Sequence, residues 1–182
     1  MKTKVKNLFV SKDSLVLREV ASAVKVEEIS SKKITAIIKD MKKALHGEED
    51  GVAIAAPQIG AGLRIFVVNA AVLAIAKKKS AGKETLEDLV FINPEIVKVS
   101  RKKKKMEEGC LSLRYLYGQV LRHEKITINA YDERGARLVY GASGLLAQIF
   151  QHEIDHLNGI LFTDKAENVR DLPPDHHESQ KS

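Results

Sequence analysis

The sequence predicts an α+β fold, with strands in the middle of the chain and helices toward both ends. Three stretches carry that reading. Residues 31–46, SKKITAIIKDMKKALH, place Ile34, Ile37, Ile38, Met41 and Leu45 at helical spacing, with lysines on the other face. Residues 119–141, QVLRHEKITINAYDERGARLVYG, alternate and then turn at Glu133 to Gly135, the pattern of a β-hairpin. From about Gly144 to Leu157 the apolar residues Leu145, Leu146, Ile149, Phe150, Ile154 and Leu157 go nearly all the way round, so that helix should be buried.

The remaining elements follow in chain order. Ser30 or Ser31 can cap the first helix and Gly47 can end it. A Gly- and Ala-rich stretch, GEEDGVAIAAPQIGAG, leads into LRIFVVN (63–69), which reads as a buried strand. Segment 70–88 is the least readable; its KKKSAGKETLED portion suits a solvated loop. LVFINPEIVKVS (89–100) reads as a strand interrupted at Asn93-Pro94, and RKKKK (101–105) as a solvated charge run. Ser143 is the candidate cap of the last helix and Gly159 its candidate stop. The chain shows no internal repeat. We expect one catalytic domain over 1–168 and a flexible polar tail over 169–182.

Composition narrows the function classes. The 182 residues are 44% hydrophobic, enough for one sizeable core, and 30% charged. One cysteine excludes an internal disulfide and fits a reducing compartment. The first residues lack the apolar core of a signal peptide, and no apolar run approaches the roughly 20 residues of a membrane span. We therefore expect a soluble cytoplasmic protein with no membrane partner and no DNA partner. A net charge of +6 leans toward acidic partners, the ribosome among them.

The chemistry concentrates in QHEIDHLNG (151–159). On a helix, His152 and His156 lie about 40° apart on one face, one turn from each other. Glu153 projects beside that face, able to reach a metal-bound water without being a ligand. Burying two histidines and a glutamate without partners in so apolar a helix costs several kcal/mol, and a metal ion is the simplest compensation. A catalytic site needs a third protein ligand and an open position. His46, His123, His176, His177, Cys110 and the carboxylates are the candidates. Cys110 sits in EEGCLSL, after a glycine that lets the backbone turn and before a strand-like segment.

In order and separation, GVAIAAPQIG (51–60), EEGCLSL (107–113) and QHEIDHLNG (151–159) resemble the three signature motifs of peptide deformylase, and the resemblance spans most of residues 10–165. It implies hydrolysis of the formyl group from N-formylmethionine on nascent chains. It implies antiparallel sheets packed around a central metal-binding helix. The implied ligands are Cys110, His152 and His156, with Glu153 as general acid and base, and Gln58 and the Leu111 backbone N–H as oxyanion donors. The implied cofactor is one divalent metal, usually Fe(II), with zinc, nickel or cobalt able to occupy the site. Gly51, Val52 and Ala53 would belong to a backbone strip that pairs with an extended substrate. Ile54 and Ile149 are candidates for a pocket taking the Met side chain. Asp155 and Arg122 are expected to support the ligands from behind.

Two positions depart from the family pattern. Ala53 stands where glycine is usual, and Arg114-Tyr115-Leu116-Tyr117 replaces a segment that usually carries proline, which leaves subsite preference open. Three competing readings remain. One is a zinc peptidase whose third ligand lies downstream, where only about 26 residues follow His156. Another is a catalytically altered deformylase-like paralogue. The last is a metal-containing ribosome-binding module, motivated by RKKKK.

Overall fold

The computed structural model describes residues 9–76 and 87–173. Its first helix, α1 (Lys32–His46), is capped by Ser31, whose side chain accepts from the Ile34 N–H. Gly47 closes it in ordinary right-handed geometry, φ −75°. Strands β1 (Ala53–Ala55), β2 (Ile65–Val68), β3 (Leu89–Val99), β6 (Lys125–Tyr131) and β7 (Arg137–Ser143) form an antiparallel sheet in the order β1-β2-β3-β6-β7. A second antiparallel sheet has the order β4-β5-β8, from β4 (Lys103–Gly109), β5 (Leu116–His123) and β8 (Glu167–Asp171).

The five-stranded sheet is covered on both faces, so β2 reads IFVV with every residue buried. Successive side chains of a strand point to opposite faces. Phe66, Val68 and Phe91 therefore meet one core, which includes Phe150, and Ile65, Val67, Val90 and Ile92 meet the other, which includes Ile34, Ile38, Met41 and Leu45 of α1. In the first core the Phe66 and Phe91 rings stack at 4.7 Å, and Phe150 meets Phe91 edge-on at 4.8 Å.

Phe150 belongs to α3 (Leu145–Leu157), which packs against β1 and β7 of one sheet and β5 of the other. Two buried glutamines fasten it to the smaller sheet. Gln148 donates to the Glu107 carbonyl at 2.7 Å, and Gln151 exchanges two hydrogen bonds with the His123 backbone. The expected arrangement, antiparallel sheets around a buried helix, is the one observed.

Several elements differ from expectation. Ser143 is the last residue of β7 and caps nothing; Gly144 takes the cap position at φ 56°. At the other end Asn158 is the cap, and Gly159, φ 71°, completes a Schellman turn with Ile160 N–H donating to Asp155 O. Residues Ala70–Ala76 form a short helix, α2, which the sequence reading left unassigned. The charged part of the expected loop, 77–86, lies outside the described residues. The break at Asn93-Pro94 is a bulge within a continuous strand. Asn93 takes φ 52°, a conformation asparagine tolerates better than most residues, and its amide pairs with both backbone groups of Val24. The charge run RKKKK is exposed as expected but is not all connection: Arg101 and Lys102 link β3 to β4, while Lys103, Lys104 and Lys105 open the edge strand β4, where lysines also discourage pairing with another chain. The expected tail from 169 begins inside β8, which pairs with β5.

Candidate metal centre

Residues from β1, the 56–59 turn, β4, the segment after it, β5 and α3 line one cleft of about 360 Å³. Cys110 lies directly after β4. Its neighbour Gly109 is needed for space rather than for a turn, because a Cβ there would sit 2.9 Å from the Tyr117 ring. His152 and His156 project from α3, one turn apart, with ring centroids 4.9 Å from each other. The ligating atoms of Cys110, His152 and His156 lie within 4.8 Å of one another, and Cys110 Sγ is 3.2 Å from His156 Nε2. Two buried polar atoms here, Glu153 Oε2 and His156 Nδ1, have no hydrogen-bond partner among the described residues. One thiolate, two imidazoles and an adjoining unpartnered carboxylate are a donor set that a divalent ion fits.

The groups behind the ligands form a chain. His152 Nδ1 is 2.9 Å from Glu108 Oε2. Arg122 holds both Glu108 oxygens, at 2.7 and 2.8 Å, and reaches Asp155 at 2.6 Å. Lys165 closes the other side of Asp155 at 2.6 Å. Arg122 and Asp155 thus support the site as expected, but neither touches an imidazole. The acceptor for His152 is Glu108, which sequence reasoning missed. The available signal was its position in β4: two residues before Cys110, it points to the same side of the strand.

Charge distribution follows from these contacts. Burial alone would raise the Glu108 carboxyl, but Arg122 and His152 hold it down at about 2. Burial would likewise raise the Cys110 thiol, yet His156 and His152 bring it well below the usual range. His152 is the counterpart: burial disfavours its charge, and Cys110 and Glu108 raise it well above the ordinary value. A cation between these groups stabilises the same thiolate. Glu153 behaves differently. Desolvation pushes it up to about 7 against the pull of the two histidines, which suits a group that accepts and returns a proton near neutral pH.

Of the other candidate histidines, the two within the described residues lie elsewhere. His123 Nδ1 contacts the Ser100 carbonyl at 2.6 Å, and His46 pairs with Asp88. His176 and His177 lie outside the described residues. Gln58, buried in the 3-10 turn Ala56–Ile59, is fixed by its own backbone: its Oε1 accepts from the Ala55 N–H at 2.8 Å. Its Nε2 is thereby aimed at Ser112 Oγ (3.0 Å) and Cys110 Sγ (3.6 Å). Leu111 lines the cleft beside Cys110.

Of the expected substrate strip, Val52 and Ala53 line the cleft and Gly51 does not. Gly51 is pressed against the end of α1, where a Cβ would lie 2.3 Å from the Leu45 carbonyl, and its own carbonyl accepts from Asn69. Ala53 is extended, opposite Val68, so its methyl carries no backbone strain. Asn69 N–H bonds to the Val52 carbonyl, and antiparallel alternation then turns the Ala53 amide and carbonyl to the open edge of β1. Ile149 lines the cleft, whereas Ile54 is fully buried in the α1-side core.

Comparison with known proteins agrees with this geometry. The sequence model of the polypeptide deformylase family matches residues 5–171. The peptide deformylase of Carboxydothermus hydrogenoformans is 40% identical over 154 residues, covering 85% of this chain and 89% of that one. The peptide deformylase of Symbiobacterium thermophilum is 40% identical over 92% of this chain and 70% of its own length. Among solved structures, a peptide deformylase from Legionella pneumophila superposes with a TM-score of 0.75 at 35% identity, covering 88% of this chain and 85% of that one. One from Synechococcus elongatus, in complex with actinonin, gives 0.74 at 32% identity over 92% and 84%.

Proposed function

The chain belongs to the polypeptide deformylase family, and from that premise we propose that Cys110, His152 and His156 hold its metal and that Glu153 moves the proton in deformylation. The reaction is removal of the formyl group from the N-terminal methionine of newly made polypeptides. One observation carries the assignment of roles: Glu153, Gln58, Cys110 and His152 line one cleft, and His156 brings its ligand atom within 4.8 Å of those of Cys110 and His152.

A divalent ion bound there supplies Lewis acidity and a water of lowered pKa. The chain's own residues do the rest. Glu153 takes the proton from the attacking water and returns it to the departing amine, which leaves formate and a free N-terminus. Gln58 Nε2 and the Leu111 N–H donate to the oxygen that becomes negative as the formyl carbon turns tetrahedral. The open edge of β1, at Ala53, receives the peptide backbone as an added strand, and Ile149 contributes to the apolar pocket for the Met side chain. We assign the site Fe(II), with zinc, nickel or cobalt as substitutes, on its mixed thiolate and imidazole donors. We read residues 1–168 with β8 as one catalytic domain working in the cytoplasm, where formylated chains emerge. No helix among the described residues is long and apolar enough to cross a membrane.

Glu153→Gln tests the mechanism. The metal-loaded variant should keep its metal and lose at least about 10²-fold in kcat on a formyl-Met-Ala peptide. Undiminished turnover would remove Glu153 from the proton path. Dialysed Cys110→Ala should lose its metal, and full retention would remove Cys110 from the ligand set. A ribosome contact through the β4 edge is a second, compatible reading, supported by exposed Arg101, Lys103 and Lys104. Ribosome co-sedimentation that weakens with salt is the expected result.

A further inference from the structure

Arg122 serves two acids from one guanidinium. Its Nε and Nη2 donate to the two oxygens of Glu108, at 2.7 and 2.8 Å, and its Nη1 donates to Asp155 Oδ2 at 2.6 Å. The fork on Glu108 fixes the carboxylate that meets His152 Nδ1 at 2.9 Å. Asp155 competes for the same fork. Its second oxygen, Oδ1, has one side-chain partner among the described residues, Lys165 Nζ at 2.6 Å.

Lys165 differs from the other three members of this chain of contacts. The side chains of Glu108, Arg122 and Asp155 are 3, 4 and 11% exposed, whereas that of Lys165 keeps 41%. Its backbone is fixed in advance. Leu161 N–H donates to Asp164 Oδ2 at 2.9 Å, and Lys165 N–H donates to the Phe162 carbonyl at 3.0 Å, closing the 3-10 turn Phe162–Asp164. Glu108 and Asp155 formally carry two negative charges, and Arg122 and Lys165 two positive ones. Without Lys165, two buried carboxylates would share one guanidinium. A buried carboxylate oxygen without a partner is costly, and the nearest remaining donor for Asp155 Oδ1 is a second N–H of Arg122. Donating it would turn the fork away from Glu108 and loosen the His152 ring.

We propose that Lys165 is a positioning residue: by saturating Asp155 it keeps the Arg122 fork on Glu108, and so holds His152 in the orientation a metal ion requires. This deepens the metal-site reading and rests on it. The charge of Lys165 by itself works in the opposite direction. An ammonium repels a bound cation, so removing the charge alone would tighten the site. That effect is small, because the group is partly solvated and reaches His152 only through Asp155, Arg122 and Glu108. Weaker metal binding in its absence therefore reports geometry rather than charge.

The test titrates the whole, metal-stripped chain with Co(II) against a chelator of known affinity. Lys165→Met should weaken Co(II) binding about tenfold, and Lys165→Arg, which keeps the charge and the donors, should restore it to near the wild-type value. Glu108→Gln cuts the chain of contacts beyond Arg122. In that background Lys165→Met should change the affinity by less than about twofold. The same substitution is compared in both backgrounds, so any general loosening of the fold shows as an equal loss in each. Equal losses overturn the proposal, as does a Lys165→Met chain that binds Co(II) as tightly as the wild type. A wild type that binds no Co(II), or whose binding survives Cys110→Ala undiminished, overturns the metal-site reading instead.

Discussion

Glu108 shows how much a single side chain can govern here. It fixes the tautomer and orientation of His152, so Glu108→Gln should weaken metal binding by about 10–100-fold, measured by competition with a chelator. Its depressed pKa is also a stability statement. A carboxyl at about 2 in the fold and near 4.5 in the unfolded chain stabilises the native state wherever it is ionised in both, above about pH 4.5. That contribution, about 3 kcal/mol, is lost as pH falls through 4.5 toward 2. In metal-free protein, Glu108→Gln should therefore show a shallower loss of stability over that window than the wild type. Ala53 is simpler. Because it is extended and nearly buried, Ala53→Gly should cost about 0.5–1 kcal/mol of stability. The ligand helix could be read from residues 151–159 because helical angles are fixed by the backbone. Glu108 could not, because its partner is 44 positions away and meets it only through the packing of α3 on β4.

At the level of elements, α3 depends on both of its ends and on its apolar face. Gly159 is doubly constrained: it sits at φ 71°, and a Cβ would lie 2.5 Å from the Arg18 carbonyl. Gly159→Ala should destabilise by about 2 kcal/mol, read from the denaturation midpoint at unchanged slope. Phe150→Ala should cost about 4 kcal/mol, since the ring bridges Phe66 and Phe91. Elements with one strong pattern were legible: α1 with its helical period, β2 with its unbroken apolar run and the β6–β7 hairpin with its alternation fall close to where those patterns put them. The lysine run of β4 was not. Edge strands carry little apolar signal, and what makes these residues a strand is the long pairing with β5, from Lys103 opposite His123 to Gly109 opposite Tyr117. The false cap at Ser143 has a similar cause, because pairing of Ser143 with Lys125 draws it into β7 before it can serve the helix.

The described residues form two sheets that share no strand, and the chain passes between them from β3 to β4, from β5 to β6 at Glu124, and from β7 through α3 to β8. Cys110 directly follows β4 of the smaller sheet and the histidines come from α3, which packs on β1 and β7 of the larger one as well as β5, so the coordination sphere we propose straddles the seam. Metal bound to the native state alone should raise thermal stability by mass action, about 2.7 kcal/mol at a hundredfold excess over Kd. A melting temperature that does not move with added metal would show the seam to be held by packing alone. The consequence reaches beyond catalysis. Quality-control proteases act on whatever fraction of a protein is open, and here that fraction would rise as metal runs short. Scarcity would then lower the standing amount of the enzyme as well as its loading, tying the lifetime of each copy to the supply of its ion.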